Sequence, residues 1–362
     1  MNSLLPVDII NEIITYDIPT RDKLNLISTC SIYLGHVVIY SLKSQIINNN
    51  TLKQNKFQQI TNLDLSNNYI IYTISFLSCL TKLDTFNTKI HEVLSLKNLI
   101  SLEASGSQSL IEKINTLTKL TYLDIFNNGK ISNIKNLINL TYLDIGGRYC
   151  EIRQDSIDKL SNLRTLKVPS NGNITNIAHL TNLTYLHASF NNCKIGQDSI
   201  NELTKLTSLT ISNNEHITSI EHLTNLTNLE INWSNNKIRQ GNIDKLSNLI
   251  TLDIFHNNHI TNISHLSNLT YLCAGSYNNE IRQNSIDKLY NLITLNISDN
   301  RHITNIKHLT KLTSLDISYS AGIDQNNINN LYSLTSIDTS YNNKITSITH
   351  LTNLRCIKID HL

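Results

Sequence analysis

The sequence lacks the features that mark most enzymes and most membrane proteins. No run approaches the roughly 18 apolar residues needed to cross a bilayer, so no membrane-spanning helix is expected. Charge of one sign is not in excess. Lys and Arg total 30 against 28 Asp and Glu, and a net charge of +2 sets up no global field toward nucleic acid or an anionic membrane. The opening residues, MNSLLPVD, carry no basic segment followed by a long apolar core, so no secretory signal is expected. Six cysteines (Cys30, Cys79, Cys150, Cys193, Cys273 and Cys356) show no paired spacing. They read as reduced thiols of an intracellular, cytoplasmic protein. No C-x-x-C, phosphate loop or nucleophile elbow occurs, and every Ser, His and Asp grouping is explained by the repeat described next. Neither an enzyme nor a cofactor is expected.

What the sequence has is repetition. Aligning on the leucine that opens each LxxLxxL places coil starts at Phe57, Leu77, Leu96, Leu117, Leu137, Leu160, Leu180, Leu203, Leu223, Leu246, Leu266, Leu289, Leu309 and Leu331. That makes fourteen full coils of 19 to 23 residues and a truncated copy at Leu351. From Leu117 to Leu309 the spacing alternates 20 and 23, so the larger unit is 43 residues. Each coil resembles the leucine-rich repeat, L-x-x-L-x-L-x-x-N-x-L, over about 300 residues. The resemblance implies an α/β solenoid with a parallel sheet on its concave face.

The residues support that reading on their own. In NLTYLDIFNN, Leu120, Leu123 and Ile125 face inward while Tyr122, Asp124 and Phe126 face outward, which is the period of a strand. Stacked coils pair such strands about 4.8 Å apart, for a face roughly 60–70 Å long. No coil buries its leucines alone, so stability comes from neighbours. In short coils an Asn follows the strand (Asn128, Asn171, Asn214, Asn257, Asn300, Asn342), placed to pair with turn backbone. Long coils carry Arg148, Asn191, Ser234, Tyr277 and Ser320 there, and most follow with a displaced Asn pair, which predicts a bulge after the strand. Their return segments, such as 153–160 and 239–246, read as one capped helical turn. The short-coil return 174–180 reads as extended or 3-10.

Two kinds of residue recur on the outward side. Acidic residues occupy the position after the second leucine in nine of fourteen coils: Asp64, Asp84, Glu103, Asp124, Asp144, Glu230, Asp253, Asp316 and Asp338. They form either a groove for a basic segment or a solubilising column. Interleaved are Tyr122, Phe126, Tyr142, Tyr185, Phe190, Trp233, Phe255, Tyr271, Tyr319 and Tyr341. A row of outward aromatics is the composition of an interface, so this face is expected to bind a protein. His179, His222, His265 and His308 recur every 43 residues. Two coils separate them, about 10 Å. One zinc needs ligands at about 2 Å, so they are framework residues and no metal is expected.

Residues 1–47 are a different object, joined by a linker, 48–56, to the solenoid, 57–362. Ser3 caps a first helix that accepts Pro6, and Ile9, Ile10, Ile13 and Ile14 form its apolar stripe. Thr20 caps a second helix with Leu24 and Ile27 inward, and a third runs from about Ser31 to Ser41. Three short helices make a small all-α domain with a marginal core. Leu5, Pro6, Asp8, Ile9, Ile10, Ile13, Leu24 and STC (28–30) resemble the F-box; its usual tryptophan is replaced by Tyr33 and Leu34. An F-box followed by leucine-rich repeats implies a substrate receptor of a cullin–RING ubiquitin ligase. In that architecture Leu5, Pro6, Ile9, Ile10, Ile13 and Leu24 dock Skp1 and the solenoid holds the target protein. The Asn- and Ile-rich style is similar to F-box and repeat proteins of amoebal giant DNA viruses, which implies the host cytoplasm. The alternative for 1–47 is a polar lid on the first coil.

Overall fold

The same three-residue strand recurs from coil to coil because its middle residue is apolar and buried while the flanking residues are mostly polar and partly exposed. In the computed structural model, residues 60–359 are described apart from 91, 92, 94, 107–113 and 320, together with Lys53. The F-box-like segment and its six Skp1 residues lie outside the described residues. Contacts divide the chain into two units, 1–162 and 163–362.

The first unit pairs β1 (Asn62–Asp64), β2 (Lys82–Asp84), β3 (Ser101–Glu103), β4 (Tyr122–Asp124) and β5 (Tyr142–Asp144) in parallel. Leu63, Leu83, Leu102, Leu123 and Leu143 stand in register and are buried.

The second unit continues the pattern in β6 (Thr165–Lys167), β7 (Tyr185–His187), β8 (Ser208–Thr210), β9 (Asn228–Glu230) and β10 (Thr251–Asp253). Then follow β11 (Tyr271–Cys273), β12 (Thr294–Asn296), β13 (Ser314–Asp316), β14 (Ser336–Asp338) and β15 (Cys356–Lys358). Neighbours pair in parallel and in sequence order. The truncated copy at Leu351 therefore still contributes a strand, with all three of its residues exposed.

The core is a stack of apolar rungs. Coil 180–202 buries Leu180, Leu183, Leu186, Ala188, Cys193, Ile195 and Ile200 completely. Each rung covers the next, which is how a strand of three residues persists where an isolated one would not.

The short-coil asparagines are the polar part of that core. Asn214 is fully buried; its Nδ2 donates to the carbonyls of Ala188 (2.8 Å) and Ile195 (3.2 Å), and its Oδ1 accepts from the N–H of His216 (2.8 Å) and Ile217 (3.2 Å). Asn128, Asn257, Asn300 and Asn342 likewise donate to the preceding coils. Long coils move the buried position two residues on, to Cys150, Cys193, Asn236 and Asn279, as the expected bulge requires.

The long-coil returns contain one helical turn each: a 3-10 turn at Gln154–Ser156, then α1 (Gln197–Ile200), α2 (Gln240–Ile243), α3 (Gln283–Ile286) and α4 (Gln325–Ile328). The expected caps are absent. The N-cap residues are Arg153, Gly196, Arg239, Arg282 and Asp324, and none makes a side-chain capping bond. A four-residue turn has its ends stitched to the neighbouring coil, so it has little need of its own cap. The short-coil return 174–180 carries no helix, as its sequence suggested.

Candidate functional site

The acidic column forms as the repeat dictates: Asp64, Asp84, Glu103, Asp124 and Asp144 are direct partners across β1 to β5. Each Asp also does local work. One carboxylate oxygen accepts the N–H two residues on: Asp64 from Ser66 (3.0 Å), Asp84 from Phe86 (2.8 Å), Asp124 from Phe126 (3.0 Å) and Asp144 from Gly146 (3.0 Å). Asp253, Asp316 and Asp338 repeat it in the second unit. This bond bends the chain out of the strand. A charge is not needed for it, because Asn296 makes the same bond to Ser298 at 3.0 Å.

The charge is held at a cost. Burial first, and then the neighbouring Asp64, raise Asp84 above the ordinary carboxylate range; burial and then Asp84 do the same to Glu103. Asp144 is an exception to the outward reading, only 7% exposed. Asp84, Glu103, Asp124 and Asp144 line a depression of about 440 Å³ together with Ser66, Ser105, Phe86 and Phe126.

The second unit has its own depression of about 270 Å³, lined by Tyr185, Ser208, Thr210, Asn228, Glu230, Thr251, Asp253 and Tyr271. Burial, and next the charge of Asp253, raise Glu230. On β7, burial and Lys167 lower His187 to about 4, so it is neutral at physiological pH.

The ten aromatics named from the sequence do not form one row. Tyr122, Tyr142, Tyr185 and Tyr271 open their strands, and the Tyr122 and Tyr142 rings stack at 4.1 Å. Phe126 and Phe255 follow the acidic position by two residues. Phe190, Trp233, Tyr319 and Tyr341 sit one residue later still, at the corner where the chain leaves the sheet. All four have positive φ: 74°, 67°, 57° and 58°. Strand alternation does not extend through that corner, which is why the sequence reading merged the columns. Trp233 stacks on His256 at 4.7 Å and meets the edge of Phe255 at 6.3 Å, while Tyr319 stacks on Tyr341 at 5.0 Å.

The repeated histidines hold the scaffold. Nε2 of His222, His265 and His308 donates at 3.2 Å to the carbonyls of Ile200, Ile243 and Ile286, the last residues of α1, α2 and α3. Among the described residues no cluster of three His, Cys, Asp or Glu is placed to hold a metal ion. Burial pushes the Cys150 and Cys193 thiols up to about 12 and about 11, which keeps them protonated and unreactive.

Two side-chain ladders escaped the sequence reading. The asparagine of LxNL donates from Nδ2 to the preceding coil's backbone: Asn98 to Ser78, Asn139 to Thr118, Asn225 to Thr204, Asn248 to Thr224 and Asn291 to Ser267, at 2.9 to 3.0 Å. The glutamine opening each of α1 to α4 bonds the next coil through its side-chain amide. Their strict recurrence at the repeat period was the available signal.

Parallel strands in sequence order, one per coil of about 20 residues with a buried Asn at each short turn, decide the architecture. The fold is a leucine-rich-repeat solenoid. An internalin of Listeria monocytogenes has a similar structure, with TM-score 0.54 and 21% identity over 93% of this chain and 94% of its own. So does a leucine-rich-repeat protein of Leptospira interrogans, with TM-score 0.57 and 21% identity over 91% and 93%. The functional domain of the Listeria protein InlJ matches at TM-score 0.51 and 20% identity over 78% and 74%. No family model and no curated protein matches the sequence. In this leucine-rich-repeat frame the outward sheet face carries the carboxylates and the aromatics, and those residues are the candidate site.

Proposed function

We propose that this chain is a non-enzymatic protein-interaction scaffold whose outward sheet face holds a protein partner. The observation that carries the reading is the set of exposed aromatics, Phe126, Phe190, Trp233, Tyr319 and Tyr341, presented by an ordered sheet. Large rigid rings on a fixed backbone bind with little entropy cost, which is why they dominate interface hot spots. Substituting Trp233 and Phe255 by Ala should abolish partner capture while leaving the fold intact; capture that survives places binding elsewhere.

Within that reading, the scaffold is the substrate receptor of a Skp1–cullin–F-box ubiquitin ligase acting in the cytoplasm. Support comes from the order Leu5, Pro6, Asp8, Ile9, Ile10, Ile13 and Leu24, which resembles the F-box and stands directly before the repeats. Skp1 would then bind residues 1–47. The test compares purified Skp1 binding to the intact chain, to a chain lacking 1–47 and to a Leu5→Asp, Pro6→Ala variant. Submicromolar binding lost in both variants supports the receptor. An intact, folded chain that does not bind leaves a scaffold whose N-terminal segment only caps the first coil.

A further inference from the structure

Each coil turns its corner through one residue in the left-handed region. In the first unit that residue is Asn67, Asn87, Gly106, Asn127 or Gly147, the types that adopt this conformation at least cost. In the second unit four of the nine corners hold Phe190, Trp233, Tyr319 and Tyr341, and the others hold Ser170, Asn213, His256, Ser276 and Asp299. A bulky side chain there costs on the order of 1–2 kcal/mol relative to glycine. Burial offsets only part of it, since Phe190 is 47% exposed and Trp233, stacked on His256, is 49% exposed. Strain kept at half-exposed rings points to binding.

A second observation lies in the same column. The corner between Phe190 and Trp233 is Asn213, whose Oδ1 is buried and has no hydrogen-bond partner. Ser189, adjoining Phe190, is 1% exposed with an equally unpartnered hydroxyl. On the strands beside this corner stand Glu230 and Asp253. From β8 to β14, neither the strands nor the three residues after their outward position include a Lys or Arg; the nearest to Phe190 at such positions is Lys167 on β6, in register with His187 of β7. The carboxylates and rings of this stretch offer negative charge, charged acceptors and π faces, with no cation among those positions from β8 to β14.

We propose that this stretch binds an extended, arginine-bearing segment of a partner protein, with guanidinium groups stacked on Phe190 and Trp233 and hydrogen-bonded to Glu230 and Asp253. The inference rests on the reading of the sheet face as a protein-binding surface and adds the partner's chemistry. Guanidinium matches the stretch in each respect: it is planar, carries five donors and no acceptor, keeps its charge and stacks on aromatic rings. Phe190 and Trp233 are two coils apart, about 10 Å, a distance that a peptide in the polyproline II conformation covers in about three residues while returning its side chains to the same face. The predicted ligand has arginines at i and i+3.

The probe is the peptide Gly-Ser-Arg-Gly-Ser-Arg-Gly-Ser-Gly, with lysine and glutamate counterparts, titrated against the full chain at about 0.15 M salt. Trp233 is the chain's only tryptophan, so its fluorescence reports on the site itself. The arginine peptide should change that fluorescence saturably and bind about tenfold tighter than the lysine peptide, a difference of about 1.4 kcal/mol. The glutamate peptide should not bind. Glu230→Gln with Asp253→Asn should weaken the arginine peptide about tenfold or more, and Glu221→Gln, at an exposed position outside the strands that pairs with Lys245, should leave it unchanged. Equal binding of the arginine and glutamate peptides, or no effect of Glu230→Gln with Asp253→Asn, overturns the proposal. Selection of displayed random 12-residue peptides against the chain and against its Trp233→Ala, Phe255→Ala variant separates the two levels. Selected peptides that need the face but lack arginine defeat this inference and leave the scaffold standing; peptides indifferent to the face defeat both.

Discussion

The side-chain amide of Gln240 pairs with both backbone groups of Asn262, one coil away: Oε1 accepts the Asn262 N–H at 2.9 Å and Nε2 donates to the Asn262 carbonyl at 2.7 Å. The amide stands in for a peptide group of a neighbouring strand. Gln197 does the same to Ser219, Gln283 to Asn305 and Gln325 to Ser347. The returns of the coils are thus stitched by side chains where no sheet is available.

Removing one stitch should be felt locally. Gln240→Ala should lower stability by about 1 kcal/mol, because water replaces part of what the amide supplied at this half-buried site. Gln240→Glu keeps the acceptor but loses the donor and sets a second carboxylate beside Asp244, which now accepts from Nε2 at 2.7 Å. It should therefore be no better than Ala. Chemical denaturation of the two variants checks this, and a Glu variant as stable as the parent would show that the donor bond contributes nothing.

The buried asparagines should be far less tolerant. Asn214→Ala strands two carbonyls and two N–H groups away from water, and a cost of about 3 kcal/mol follows from the usual price of unpaired buried groups. The same denaturation measurement decides it, and a loss below about 0.5 kcal/mol would mean that water reaches the site.

The acidic column predicts a pH signature. Folding raises Glu103 above its ordinary 4.5 and Asp84 above its ordinary 3.8, so between those values and the raised ones the folded chain holds more protons than the unfolded chain. Stability from these groups therefore rises as pH falls through that window. At pH 7, Glu103→Gln should be more stable than the parent by about 0.5 kcal/mol, the scale of a like-charged cross-strand pair partly screened by solvent. The advantage should shrink as pH drops and vanish near the ordinary carboxylate range. A variant less stable than the parent at pH 7 would mean that the column helps the fold.

Much of the frame was legible because it follows from period. Leu123 and Ile125 go in and Tyr122 goes out by strand alternation, and Asn128 had to satisfy a turn. The corner was not legible. Alternation ends there, so Phe126 and Phe190 looked equivalent although only Phe190 is left-handed. The caps were misjudged because Asp and Ser beside a short helix resemble capping residues, whereas here the bonds run between coils. The LxNL asparagines passed as compositional bias, since a contact 20 to 24 residues away leaves no local trace.

An aromatic at a left-handed corner is kept either by a partner or by the fold. The most direct measurement is the denaturation free energy of Phe190→Asn, at a position where no ring–ring contact is lost among the described residues. If Phe190 is kept for a partner, Asn should relieve strain and raise stability by about 1 kcal/mol, while arginine-peptide binding falls. A loss of stability of that size would make Phe190 a structural residue and contradict the claim.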